Sequence, residues 1–312
     1  MAYRLSIADE VPSSVRTCAR EQLAGAIERL QRADEDPVKA VHEARKHLKK
    51  TRALLRLVRP ALGKPAYRRE NDTLRDAGLA LSGTRDADVL VQTVGKLADH
   101  AAGRLPADTF DQLRDALAAQ AAVARSVADG EPVPELANVI ELLQAAELRV
   151  EAWPLDEANW ETVLAGVARA YSRGRDAFAV ARGTPEPELL HAWRKRAKDL
   201  WYHQRLLAPA WPDVLGAQAE AAHTLTELLG DDHDLAVLAA RLSDDTPSLP
   251  PVVDADRAAL LTLVEHRSDE LRTAATQLGH RIYAEAPKAF TRRLTRYVQV
   301  AVEEAQIGVD PA

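Results

Sequence analysis

A run of histidine, arginine and lysine side chains between residues 42 and 56 forms the clearest chemical pattern in the chain. On a helical wheel of 100° per residue, one arc of about 120° holds six polar side chains: His42, Arg45, Lys46, Lys49, Arg52 and Arg56. Apolar residues such as Val41, Ala44, Leu48 and Leu55 take the opposite side. The pattern predicts a helix with one buried face and one row of cations.

A second row of the same kind begins at His191. The same arc of the wheel holds His191, Arg194, Lys195, Lys198, Tyr202 and Arg205. Leu190, Trp193, Ala197 and Leu200 form its apolar back. Asp199 stands where the first row has Lys50, so we expect the second row to be somewhat less basic.

Like-charged neighbours distinguish both rows from an ordinary solvated helix face. Solvated faces usually mix signs, because like charges at positions i and i+4 repel each other. Arg45 repels Lys49 in this way, and Arg194 repels Lys198. A bound anion would relieve that repulsion, and arginine grips phosphate oxygens with two N–H groups. We therefore predict binding of a phosphate-rich polyanion, weakened steeply by salt.

Composition and net charge define the class of protein. The 312 residues are 46% hydrophobic but only 4% aromatic, and the formal net charge is −6. Abundant Ala, Leu and Arg favour an all-α fold. The negative net charge argues against polyanion binding, but the charged residues are segregated along the chain. The segment from His42 to Arg69 holds ten Lys or Arg and one acid, Glu43. Such segregation focuses a local positive field.

The single cysteine and the lack of a recognisable signal peptide or membrane span favour an intracellular protein. The single cysteine, Cys18, cannot form an intramolecular disulfide, which fits a reducing compartment. The first twenty residues lack the apolar core of a signal peptide, and no stretch approaches the roughly 18 apolar residues of a membrane span. We expect a soluble, cytoplasmic protein.

Helical periodicity runs through almost the whole chain. It predicts helices at about residues 10–33, 37–60, 65–82, 85–101, 108–128, 136–151, 157–182, 186–208, 212–229, 232–243, 254–285 and 287–305. Breaks are predicted at Gly63 to Pro65, at residues 130–134 and, most clearly, in the proline-rich segment from Ser243 to Val253.

Two sequence elements recur in the same order, which indicates an internal duplication. The segment from His42 to Lys49 aligns with that from His191 to Lys198 at an offset of 149 residues. About forty residues later, the segment from Leu81 to Leu90 aligns with Leu229 to Leu238. We predict a first repeat over residues 1–155 and a second over residues 156–312.

These elements resemble a known family. A helix reading H-x-x-R-[KR]-x-x-[KR], followed by L-G-x-x-R-D-x-D-V-L, with both elements repeated, is similar to the CHAD (conserved histidine α-helical domain) family. The resemblance extends over nearly the whole chain and implies two pseudo-symmetric helical bundles with a basic groove between them. It also implies non-enzymatic binding of inorganic polyphosphate and association with polyphosphate granules.

The resemblance also names site residues beyond the two rows. His203 belongs to the motif of the second half, and the late segment GHRIYAEAPKAFTRRL adds Lys288, Arg292 and Arg293. These three would line the groove only if the last helix packs beside the two basic helices. The sequence departs from the family pattern at two positions. Ser82 replaces the glycine of the first L-G motif, and His233 stands where the first repeat has Arg85. Both concern local turn geometry rather than the basic rows.

Other groups that could bind a metal have simpler interpretations. His42 and His47 nearly match the HExxH zinc motif, but they are five residues apart, about 140° on the wheel, and flanked by cations. The acidic run Asp231 to Asp234 is interpreted as a helix cap, with Asp234 in the first turn. The sequence thus predicts no metal, no cofactor and no catalytic residue.

Two other functions remain open from the sequence. RNA or another nucleic acid is the main alternative ligand, because a cationic groove does not by itself select its polyanion. The net negative charge of the chain and its few aromatic residues argue against nucleic-acid binding. A metal-dependent polyphosphate or triphosphate hydrolase is a weaker alternative, since the E-x-E-x-K strand of the triphosphatase domain found in some family members is missing.

Overall fold

The computed structural model describes residues 3–81, 85–128, 136–243 and 251–308. Within these ranges the chain is all-α, which confirms the predicted fold class. Its helices are α1 (Val11–Gln31), α2 (Pro37–Leu57), α3 (Arg59–Ala80), α4 (Arg85–His100), α5 (Ala107–Ala128), α6 (Leu136–Arg149), α7 (Trp160–Gly183), α8 (Pro187–Leu207), α9 (Pro212–Ser243), α10 (Pro251–Ile282) and α11 (Pro287–Ile307). Short 3₁₀ turns follow α6 and α8.

The two basic helices begin where the sequence places their start signals. In α2 the Asp36 side chain accepts a hydrogen bond from the Lys39 backbone N–H at 3.0 Å, and Pro37 takes the first helical position. Proline suits that position because its missing N–H would have no helical partner there. Pro187 starts α8 in the same way. His42 and His191 therefore fall in the second turn of matching helices.

Two predicted breaks have different outcomes. Gly63 interrupts α3 with a φ of 70°, a conformation that glycine adopts without steric cost. The predicted break between residues 229 and 232 is wrong, because α9 runs without interruption through Asp231 and Asp232. These aspartates are therefore not helix caps. The predicted loop from Ser243 to Val253 is helical at both ends, because α9 extends to Ser243 and α10 begins at Pro251. Its residues 244–250, the predicted break at 130–134 and the segment from Ser82 to Thr84 lie outside the described residues.

Helices of the two halves follow the same order of neighbours. In the first half α1 packs on α2 and α6, and α2 packs on α3. In the second half α7 packs on α8 and α11, and α8 packs on α9. This order is consistent with the duplication and with its boundary near residue 155, which stay predictions from the sequence.

The buried apolar residues form two clusters, and both clusters draw on both halves. The larger cluster includes Leu54 of α2 and Tyr171 of α7. The smaller one joins Val94 of α4 to Leu238 of α9, together with residues of α5 and α10. The halves therefore share their cores rather than each enclosing one.

Close contacts bring α2 against α7 and α8. A Cβ at Gly166 of α7 would collide with the backbone carbonyl of Leu57 at the end of α2, so glycine permits this approach. Cys18 of α1 is a free, buried cysteine within the larger cluster. Among the described residues, none of the helices has both the length and the apolarity that crossing a bilayer requires.

Candidate functional site: a groove between the two basic helices

A groove with a volume of about 620 Å³ lies between α2 and α8, with α4 and α9 completing its walls. Helix α2 contributes His42, Glu43, Lys46, Lys49 and Lys50. Helix α8 contributes Arg194, Lys198, Trp201, Tyr202 and Arg205. The two basic rows, 149 residues apart in the sequence, thus meet in one cavity.

Two equivalent arginines are held by backbone carbonyls. Nη1 of Arg45 donates to the carbonyl oxygen of Leu81 at 2.7 Å, and Nε of Arg194 donates to that of Thr226 at 3.3 Å. Arg194 lines the groove, whereas Arg45 does not. These bonds orient the guanidinium groups and tie each basic helix to the next helix of its own half.

Gly230 makes room for Arg194. A Cβ at this position would lie 2.5 Å from Nη2 of Arg194. Gly230 is the glycine of the repeated L-G motif. Its role is therefore to admit the arginine side chain against α9 rather than to form a turn, since the helix is continuous there.

Several members of the two rows lie beside the groove rather than in its lining. Nε of Arg52 donates to Oδ1 of Asn71 at 3.2 Å, and Nε of Arg56 lies 2.8 Å from Oδ1 of Asp199. The ring of His191 lies 4.7 Å from that of His233. Lys195 is exposed on the next turn. Burial and nearby Lys195 and His233 lower the pKa of His191.

His203 is not a groove residue, which corrects the prediction from the family motif. Its side chain is 2% exposed, and Nε2 donates to the carbonyl oxygen of Ala53 at 3.0 Å. Burial lowers its pKa to about 4. On the wheel His203 is about 120° from His191, so it points to the interface with α2. Its role there is structural.

The late basic residues are also away from the groove. Helix α11 packs on α7 and on the 3₁₀ turn Ala208–Ala210, not beside the two basic helices. Lys288 and Arg292 lie on a separate surface of α11, and Nη2 of Arg293 pairs with Oε2 of Glu285 at 2.7 Å. The condition for their joining the groove is therefore not met.

The groove contains residues that the sequence did not single out. Lys50 is about 80° from His42 on the wheel, outside the chosen arc, and Lys96 reaches the groove from α4. Trp201 stacks on His223 with ring centres 4.2 Å apart. Lys50, Lys96 and His223 enter the site through the packing of the helices, which the wheel does not show.

The charges of the groove are unevenly distributed. Its lining carries seven Lys or Arg and four acids. Most acids have a partner: Glu43 lies 2.8 Å from Lys46, Asp231 lies 2.7 Å from Lys96, and Glu227 lies 3.6 Å from His223. The excess positive charge is therefore on α2 and α8.

The two histidines of the zinc-like motif lie on different sides of α2. His42 lines the groove, whereas Nδ1 of His47 lies 2.9 Å from Oε1 of Gln22 and its ring packs against Gly25 of α1. Burial and Lys50 lower the pKa of His47 to about 4. Across the described part of the chain, no three His, Cys, Asp or Glu side chains are grouped to hold a metal ion.

Comparison with known proteins identifies the family of the chain. The family model described as the CHAD domain matches residues 17–243, which contain both basic helices and both L-G elements. The chain belongs to the CHAD family. No curated protein matches this CHAD chain.

A solved structure shares the fold of this CHAD protein. PptA from Streptomyces chartreusis is 17% identical in sequence and aligns with a TM-score of 0.63. The alignment covers 89% of this chain and all of PptA. At this level of identity the likeness concerns the fold.

Proposed function

We propose that this CHAD protein binds inorganic polyphosphate in the groove between α2 and α8, without catalysing a reaction. The meeting of the two basic rows in one cavity carries the proposal. Successive turns of each helix present cations about 5.4 Å apart, and a polyphosphate chain carries a charge on every unit. Release of counterions then adds to the affinity.

The choice of polyphosphate over RNA is supported by family membership and by the aromatic side chains. Single-stranded RNA usually stacks its bases on open aromatic faces. In this groove Trp201 already stacks on His223 at 4.2 Å and on Tyr202 at 4.5 Å, so less of its ring is open to a base. A ligand with phosphates but no bases fits such a lining better.

A role in binding rather than hydrolysis fits the pairing of the acids in the groove. Hydrolysis of a phosphate chain usually needs carboxylates that hold a metal ion. Here Asp231 pairs with Lys96, and Glu43 pairs with Lys46. The proposal carries the expectation that the protein lies in the cytoplasm, on polyphosphate granules.

The proposal is tested by a pair of double variants that change the net charge equally. Lys49→Ala/Lys198→Ala removes one cation from each wall of the groove, whereas Lys288→Ala/Arg292→Ala removes two from the separate surface of α11. We expect at least a tenfold loss of affinity for long-chain polyphosphate and a shallower salt dependence in the first variant only. Equal losses in both variants would point to nonspecific attraction.

Two further measurements separate the alternatives. RNA is added as a competitor at equal phosphate concentration; displacement of polyphosphate would favour a nucleic-acid binder. Phosphate release is followed with Mg²⁺ or Mn²⁺ present. Release that the groove variant abolishes would establish an enzyme instead of a binding protein.

A further inference from the structure

Two pairs of residues between α2 and α8 occupy equivalent repeat positions but differ in charge balance. Arg56 corresponds to Arg205 at the offset of 149 residues, and Lys50 corresponds to Asp199. In a two-fold arrangement, a contact of residue i with residue j is matched by a contact of j with i. The pair of Arg56 with Asp199 is therefore matched by the pair of Lys50 with Arg205.

Arg56 has a carboxylate partner across the interface. Nε of Arg56 lies 2.8 Å from Oδ1 of Asp199, and Nη1 of Arg196 lies 3.2 Å from Oδ2 of the same carboxylate. The Asp199 side chain is only 13% exposed, and none of the three residues lines the groove. On this side of the interface a carboxylate of the chain itself supplies the negative charge.

Arg205 and Lys50 have no such partner among the described residues. In the part of the chain that the structure describes, neither Lys50 nor Arg205 has a carboxylate oxygen within the 4.0 Å of an ion pair. Nζ of Lys50 and Cζ of Arg205 lie 5.9 and 5.5 Å from the centre of the Tyr3 ring. The nearby Glu43 is bound to Lys46. Burial and Arg205 together lower the pKa of Lys50, because both disfavour its charged form.

We propose that Lys50 and Arg205 form the anchoring phosphate subsite of the groove. A segment of the bound chain there supplies the negative charge that the Asp199 carboxylate supplies beside Arg56. This inference rests on the proposed polyphosphate binding, and it specifies the part of the groove that holds the ligand most strongly. Half-buried cations gain more from an anion than exposed ones, because water and salt screen them less.

Tyr3 makes the subsite rigid. Its ring is 4% exposed, packs edge-to-face on Tyr202 with centres 5.8 Å apart, and lies beneath both cations. Its hydroxyl donates to the backbone carbonyl of Lys50 at 3.0 Å. Arg205 also lies over Trp201, with Cζ 5.6 Å from the ring centre. The anchor is therefore preorganised by packing, unlike the exposed Lys46 and Lys195.

The subsite is tested with Lys50→Gln, Arg205→Gln and their combination, measured against long-chain polyphosphate and tripolyphosphate. Lys39→Gln is the control, because it removes an exposed cation of α2 that does not line the groove. We expect a loss of tenfold or more for each subsite variant and less than twofold for the control. The two losses should be less than additive in the double variant, because both side chains hold the same segment.

A charge swap gives a second, independent readout. Lys50→Asp places beside Arg205 the carboxylate that Asp199 places beside Arg56. We expect the strongest loss of binding of the set together with an unfolding temperature equal to or above that of the unmodified protein. Wild-type binding by Lys50→Gln, while Lys49→Ala/Lys198→Ala is impaired, overturns the anchor and leaves the proposed function intact. Absence of polyphosphate binding by the unmodified protein overturns both.

Discussion

Nε2 of His203 lies 3.0 Å from the carbonyl oxygen of Ala53, so a buried histidine of α8 donates a hydrogen bond to the backbone of α2. The acceptor is a carbonyl, and Nε2 must therefore carry the hydrogen. The same two helices form two walls of the groove. The protonation state of His203 consequently bears on how the groove is held together.

His203 should make the protein less stable in mild acid. Burial lowers its folded pKa to about 4, below the value of 6.5 in the unfolded chain, so the unfolded state takes up the proton first as the pH falls. Stability is fully present above pH 6.5 and decreases towards pH 4, by about 3 kcal/mol from this residue.

His203→Gln keeps an amide donor but cannot take up a proton. Urea unfolding at several pH values should show a smaller loss between pH 6.5 and pH 4 in this variant. His47, whose pKa is also about 4, contributes the same background to both proteins. Identical pH dependence in the two would contradict a buried neutral His203.

Gly230→Ala should weaken polyphosphate binding without destabilising the fold. The new Cβ meets the end of the flexible Arg194 side chain, which must move within the groove. Alanine in a helix interior also gains about 0.5–1 kcal/mol over glycine. We expect an affinity loss of several-fold with an equal or higher unfolding temperature. Gly216→Ala, on the same helix, is the matched control, because a Cβ at this position meets no neighbouring group within 4 Å.

Gly166→Ala should destabilise the protein by about 2 kcal/mol, the usual cost of overpacking a tight contact. The added Cβ collides with the backbone of Leu57, which cannot swing aside as a side chain can. Gly95→Ala in α4 meets nothing within 4 Å and should be slightly stabilising. Chemical unfolding of both variants measures the difference, and equal stability would show that α2 and α7 are not held this closely.

Arg149→Met should cost about 2 kcal/mol, because it removes both hydrogen bonds that Arg149 donates to the buried Glu70 carboxylate and leaves only the contact with Arg69, at 2.8 Å. Glu70 is 1% exposed, and Arg149 donates to both of its oxygens at 3.1 and 3.0 Å. Removing both charges in Glu70→Met/Arg149→Met should recover part of the loss. Arg75→Met, which breaks an exposed pair with Asp72, should change stability by less than about 0.5 kcal/mol.

Most of the fold followed from local patterns, and the exceptions have tertiary causes. Proline, aspartate and periodicity predicted helix starts within a few residues. The Gly-Asp-Asp run at Gly230 resembles a helix boundary, but its residues serve other helices. Gly230 admits Arg194, and Asp232 lies 2.8 Å from Arg272 of α10. Such contacts outweigh local preferences and are invisible in the sequence.

The site was predictable where it depends on helix periodicity and unpredictable where it depends on helix packing. His42, Lys49 and Lys198 were placed on the right faces by the wheel. Lys288 was assigned to the groove by motif alone, and only the packing of α11 on α7 removes it. Lys50 required knowledge of how α2 crosses α8.

The sharing of the larger apolar cluster between the two halves has a consequence for biosynthesis. Leu54 and Leu57 are fully buried in the finished protein, but part of their cover comes from α7 and α8. A nascent chain that ends near residue 155 therefore still exposes them and is open to chaperones and to aggregation. These two leucines are covered only when α7 and α8 have also been made, and fragments cut at the repeat boundary should assemble with each other rather than fold alone.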